Sequence, residues 1–162
     1  MRGIIKRRNK NQTKDTLQKI KSMSYVHPSH YFDSVEGFIR LNSQHCSIAM
    51  LNRFAKDADC PDDLVEQVVN GAIVDYIMRI VSGPDDTVTC ADMNGHTVPV
   101  RIYHPTSAEL IAHLTEIKFS DLSQERAGKI IDFLLNKPAL SFDTDGCLYC
   151  SMRLIPRQLV AL

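Results

Sequence analysis

One segment constrains the fold of this chain more than any other. Between Cys60-Pro61-Asp62-Asp63 and Ser82-Gly83-Pro84 the sequence is apolar nearly all round a helix, through Leu64, Val65, Val68, Val69, Ala72, Ile73, Tyr76, Ile77 and Ile80. A helix with one apolar stripe can lie on a surface, whereas one that is apolar on most faces needs neighbours on most sides. Pro61 suits a helix start, Asp62 and Asp63 complement the positive end of the dipole, and Gly83-Pro84 stops the helix. The expectation is a helix over 62–81 buried at the centre of the fold.

The other elements follow from periodicity and punctuation. His27-Pro28 breaks any helix arriving from the N-terminal side, and Asp33 with Glu36 has the spacing of a capping box for a short helix over 34–41. Ser43 can cap a second helix running to about Asp57, with Ile48, Leu51, Phe54 and Ala55 on one face. Thr106 with Glu109, and Asp121 with Gln124, open two more helices. Asn94-Gly95 sits between two runs of strand-forming residues, which predicts a hairpin over 87–103 with a type I′ turn. Val98, Val100 and Ile102 share one face there, and Pro99 marks an edge strand. Asp145-Gly146 centres a second hairpin over 140–155. On its return strand Leu148, Cys150, Met152 and Leu154 share a face. The sum is an α+β fold: one domain of five to six helices and two β-hairpins over 25–162, preceded by a basic arm over 1–24.

The chain has 162 residues, 44% apolar and 23% charged, which excludes disorder throughout. No apolar run is long enough to cross a bilayer. The net charge is zero, yet residues 1–21 hold Arg2, Lys6, Arg7, Arg8, Lys10, Lys14, Lys19 and Lys21 against Asp15 alone, a net +7. The remainder carries eleven basic and eighteen acidic side chains, a net −7. A basic arm on an acidic body points to a polyanion for the arm, through Lys6, Arg7, Arg8, Lys10 and Lys14, and to a protein partner for the body. No aromatic interleaves with these cations, so phosphate contact rather than base stacking is implied. With no signal-peptide pattern and an odd number of cysteines, five, the chain is expected to be intracellular with free thiols.

Three patterns touch on chemistry. If Ser43 caps its helix, Cys46 lies in the first turn, where the dipole lowers a thiol pKa. His96 opens a strand. A nucleophile at a helix start and a base at a strand start are the papain-like arrangement of thiol hydrolases and transferases, with Asp143 or Asp145 to orient the imidazole and Gln44 or Asn42 to line an oxyanion pocket. The stretch Ser43-Gln44-His45-Cys46-Ser47-Ile48 resembles part of the catalytic helix of Josephin deubiquitinases. Their nucleophile precedes the Gln-His-Cys tripeptide, and Asn42 occupies that position here. Second, Asp92-Met93-Asn94-Gly95-His96-Thr97 ahead of a helix with Leu110, Ile111 and Leu114 resembles the start of an ankyrin repeat. That resemblance implies a degenerate protein-interaction module; the only comparable segment, Asp143-Thr144-Asp145-Gly146, lies 51 residues on. Third, Cys147-x-x-Cys150 has half-zinc-site spacing, but on a strand the two thiols face opposite ways. There is no Gly-rich phosphate loop and no His-Glu-x-x-His. The reading is therefore a non-enzymatic binding or regulatory protein without cofactor or metal. A cysteine enzyme built on Cys46 and His96 is the alternative.

Overall fold

The computed structural model describes residues 27–42, 45–152 and 157–162. The basic arm, Ser43, Gln44 and residues 153–156 lie outside that set.

The first element shows a proline serving as a start. Helix α1 spans Pro28–Leu41, and the ring nitrogen of its N-cap, His27, accepts from the Ser29 amide at 3.2 Å. His27-Pro28 thus opens a 14-residue helix. A proline at N1 has no amide to lose, and the extended backbone it imposes on the residue before it is what an N-cap adopts. Asp33 and Glu36, expected as a capping pair, lie well inside this helix.

Helix α2 spans Ile48–Asp57 with Ser47 as N-cap, its hydroxyl accepting from Met50 N at 3.4 Å. The helix therefore starts later than expected, and Cys46 precedes it. A second acceptor assists this start. Asp121, expected to cap its own helix, accepts from the Ser47 hydroxyl at 2.9 Å and from Ala49 N at 3.5 Å. A carboxylate gains more at the positive end of a neighbouring helix than where Ser123 already caps its own.

After a left-handed residue at Asp59 (φ 66) comes one 3-10 turn, Asp62–Leu64, and then helix α3, Val65–Ile80. Its buried residues include Val68, Val69, Ala72, Ile73, Val74 and Ile77, spread over several faces as the composition requires. It packs against α1, α2 and helix α5 (Gln124–Asn136). The segment 157–162 lies along α3 at Gly71. There Val160 is fully buried, its amide donates to Gln67 O at 3.1 Å, and its carbonyl accepts from Asn70 Nδ2 at 3.0 Å. Arg157 of the same segment reaches back to α1, bonding Glu36 Oε1 through Nε at 2.8 Å and Asp33 at 2.7 Å.

Helix α4, Ser107–Ala112, opens on the expected capping box. Thr106 N donates to Glu109 Oε1 at 2.8 Å, and Glu109 N donates to the Thr106 hydroxyl at 3.2 Å. It continues into a π-helical stretch, His113–Lys118, a rarer and wider winding than the α-helix. Helix α5 is capped by Ser123, which accepts from Arg126 N at 3.1 Å.

Two antiparallel hairpins complete an α+β fold. The first pairs β1, Thr87–Ala91, with β2, Thr97–Arg101. The second pairs β3, Leu140–Phe142, with β4, Leu148–Cys150. Both are shorter than expected, and both turn on the same Asp-x-x-Gly device. Asp92 Oδ1 accepts from Asn94 N and His96 N, and Gly95 has φ 82. Asp143 Oδ1 accepts from Asp145 N and Cys147 N, and Gly146 has φ 80. Among the described residues only Asp59 and Pro138 have positive φ besides these glycines. Asn94 is therefore not left-handed, and the turn is not type I′. Aspartate side-chain capping supplies an alternative that needs one left-handed glycine rather than two left-handed residues.

Candidate interaction surface

The hairpin β1–β2 differs from every other element in its exposure. All ten of its strand residues are exposed. The register pairs Val88 with Val100 and Cys90 with Val98, so these four side chains lie on one face. Ile102 extends it, and the fully exposed Met93 crowns the turn. Val88, Val98, Val100 and Ile102 are 40–57% exposed. Together they form an apolar patch on the order of 300 Å², the size that on soluble proteins is often functional. A polar face lies opposite, with Thr87, Thr89, Thr97, Pro99 and Arg101.

A lone two-stranded hairpin is marginal in water, so its base must be held. Arg101 bonds Asp143 and, at 3.0 Å, Asp145 of the second turn. Tyr103 O accepts from Ser82 N at 3.0 Å, and Ser82 O accepts from Cys150 N of β4 at 2.8 Å. His104 Nε2 donates to Gly83 O at 2.7 Å, while its Nδ1 is buried without a hydrogen-bond partner. Between the hairpins lies an open cleft of about 450 Å³, lined by Pro84, Arg101, His104, Phe142, Asp143 and Tyr149. Asp143 is therefore a turn-capping residue at the hairpin base. Its backbone donors and Arg101 hold its carboxyl below the usual range.

The thiol candidates fall in different places. Cys46 is 1% exposed and zipped to the end of the π-helical stretch: its amide donates to Lys118 O at 2.7 Å and its carbonyl accepts from Ser120 N at 2.9 Å. Because it precedes Ser47 it is not in the first turn of α2. Burial pushes its thiol up, against the pull of the Lys118 ammonium. His96 sits at the exposed end of the first turn, 3.4 Å from the Asp92 carboxylate. The interactions of Cys46, His96 and Asp143 share no partner, and Gln44 lies outside the described residues, as do Lys6, Arg7, Arg8, Lys10 and Lys14.

The imidazole whose surroundings overlap those of Cys46 is His113. Its Nε2 shares a 2.7 Å hydrogen bond with the Tyr76 hydroxyl, and the rings are nearly parallel. Burial and the Lys118 charge lower the His113 pKa, and burial pushes Tyr76 up to about 12. Lys118 is buried, bonds Ile39 O at 3.0 Å and Asn42 O, and lies 5.2 Å from the Tyr76 ring centre. It thereby caps the C-terminus of α1, where a cation belongs. Nothing in the sequence marks this cluster; His113 and Lys118 read as polar positions of an ordinary helix.

Among the described residues no three His, Cys, Asp or Glu side chains group as metal ligands, and no helix is long and apolar enough to cross a membrane. Cys147 is half-buried, whereas the buried Cys150 thiol lies 3.8 Å from Met78 Sδ. No family model, no curated protein and no solved structure matches this chain.

Proposed function

We propose that this chain is a non-enzymatic binding module whose body presents the β1–β2 hairpin to a protein partner. The supporting observation is the apolar face of Val88, Cys90, Val98, Val100 and Ile102, which among the described residues is left open on a hairpin clamped at its base. An apolar face on a projecting element costs solubility and adds nothing to the core, which is the signature of a surface kept for contact. The basic arm adds a second, electrostatic contact. Lys6, Arg7, Arg8, Lys10 and Lys14 meet a polyanion through phosphate, without base specificity. Burial of Cys46 and of its thiol proton supports a packing role for that residue.

The test is site-directed crosslinking. A maleimide photo-crosslinker attached at the exposed Cys90 is activated in an extract of the source cells. The reading expects a discrete adduct that Val98→Thr with Val100→Thr abolishes while the hairpin amides keep their exchange protection. An adduct that survives both substitutions, or none at all, removes the hairpin part. The arm part is checked separately, as heparin or nucleic-acid binding that falls steeply with salt and is lost on charge reversal at Lys6, Arg7 and Arg8.

A further inference from the structure

Among the described residues no third strand pairs with either edge of the hairpin, and the two edges are not equivalent. Asp92 N donates to His96 O at 2.7 Å, so residues 92 and 96 form a hydrogen-bonded pair. Bonded and non-bonded pairs alternate along an antiparallel ladder. In the observed register the bonded pairs are Cys90 with Val98 and Val88 with Val100. The non-bonded pairs are Ala91 with Thr97, Thr89 with Pro99 and Thr87 with Arg101. Residues in non-bonded pairs turn their amides and carbonyls outward. On the outer edge of β2 the middle one is Pro99, which has no amide, so that edge is blunted. On the outer edge of β1, Thr87, Thr89 and Ala91 present three outward amides and three outward carbonyls.

Resting on the binding reading above, we propose that the β1 edge accepts an extended peptide as an added antiparallel strand, with apolar residues at alternate positions and basic residues at its ends. Added-strand recognition draws affinity from main-chain bonds and selectivity from alternate side chains. The peptide's apolar residues continue the face of Val88, Cys90, Val98 and Val100. Its basic ends meet Asp85 and Asp86 before β1 and Asp92 after it.

Charge also argues against a second copy of this chain as the occupant. Symmetric antiparallel pairing of β1 about Thr89 brings Asp86 of each copy onto Asp92 of the other, and like charges placed opposite destabilise a sheet.

The experiment uses the full chain and a fluorescein-labelled heptapeptide, Lys-Thr-Val-Thr-Ile-Thr-Lys, read by anisotropy. Thr89→Pro removes the central outward amide of β1. Because Thr89 is in a non-bonded pair, the hairpin itself keeps its ladder, which amide exchange at Val98 and Val100 verifies. The expected result is saturable binding that weakens by at least about tenfold with Thr89→Pro and with a peptide carrying Glu at both ends. No binding, or equal binding to Thr89→Pro, overturns the edge proposal. So does a wild-type dimer in sedimentation equilibrium that Thr89→Pro dissolves, since the occupant is then a second copy. If the Cys90 adduct persists in Thr89→Pro but is lost with Val98→Thr and Val100→Thr, the edge proposal falls and the binding module stands. If the adduct ignores both sets, the module reading falls with it.

Discussion

Gly71 offers a sign test of how the C-terminal segment is attached. A Cβ built at this position of α3 would stand 2.2 Å from Gln158 O and 3.1 Å from Phe32 Cε1. The first distance is impossible for real atoms, and the obstacle is backbone, so the segment carrying Gln158 must lift. What it holds can be counted. Burial of Val160 is worth about 2 kcal/mol, and its bonds to Gln67 O and from Asn70 Nδ2 about 1 kcal/mol each. With Arg157 still held by Glu36 and Asp33, the loss is about 4 kcal/mol, against which alanine improves the helix by about 1 kcal/mol and each residue freed, taken here as one, recovers about 1 kcal/mol of entropy. Gly71→Ala is therefore expected to cost about 2 kcal/mol. Gly37 in α1 and Gly128 in α5 supply the controls. An added Cβ meets nothing within 4 Å at either, so Gly37→Ala and Gly128→Ala should stabilise by about 0.5–1 kcal/mol. Urea unfolding of the three variants measures the sign directly, and amide exchange at Val160 reports whether the segment has lifted. If Gly71→Ala raises the midpoint as the controls do, the segment does not bear on α3 and the reasoning fails.

The remaining predictions concern the thiols, the buried charges and the exposed face. In native protein, maleimide should label Cys90 fastest and Cys147 next, with Cys46, Cys60 and Cys150 protected until unfolding; labelling of Cys46 as fast as Cys90, read by peptide mass spectrometry, would revive the thiol enzyme. Glu36 has its pKa raised by burial first and by Asp75 second, against the pull of Arg157. The native state therefore holds that proton more tightly than the unfolded chain, and stability falls as pH climbs from the ordinary carboxylate range through the raised one. Glu36→Gln should flatten that slope in thermal melts, and an unchanged slope refutes the assignment. Tyr76→Phe strands His113 Nε2 in a half-buried site and should cost about 1–2 kcal/mol in urea titration, with no loss meaning the bond is replaced by water. Val88→Thr and Val100→Thr should each change stability by less than about 0.5 kcal/mol, whereas Val69→Thr in α3 should cost more than about 1 kcal/mol. A core-sized loss at Val100 would show that its face is already covered.

The legible parts of the fold were those whose signal is local. The segment after Pro61, the Thr106–Glu109 box and the two Gly-centred turns are each decided within a few residues, and each stands near its expected place. Helix α1 starts earlier than expected because Pro28 opens it with the His27 ring as cap, whereas the starts of α2 and α5 differ from expectation for a shared reason. Several oxygens competed for each set of free amides, and tertiary position chose among them. Asp121 carried the spacing for its own helix but lies against the start of α2, so Ser123 took over. Asp33 and Glu36 had capping spacing, yet they face Arg157, which no local reading could bring across more than a hundred positions of sequence. The candidate site was half legible. The alternation of Val98, Val100 and Ile102 and the edge role of Pro99 are sequence facts. That their face stays open is not, because alternation reads the same whether a strand meets core or solvent.

That ambiguity is also why Cys46 attracted a catalytic reading and the hairpin a structural one. A cysteine near a helix start gains reactivity only if the thiolate is solvated or paired and the first turn actually reaches it. Here the cap is Ser47, one residue beyond Cys46, and the cation beside the thiol is engaged by carbonyls at the end of α1. The hairpin runs the opposite way. Its turn is fixed by Asp92 and its base by Arg101 and Ser82, so both ends are secured without any help from the apolar side chains between them. The binding reading therefore predicts that folding relies on the turn and the clamp rather than on valine at 88, 98 and 100. Threonine would serve those strands as well in water. A feature that folding does not require, and that solubility opposes, is best accounted for by what it meets.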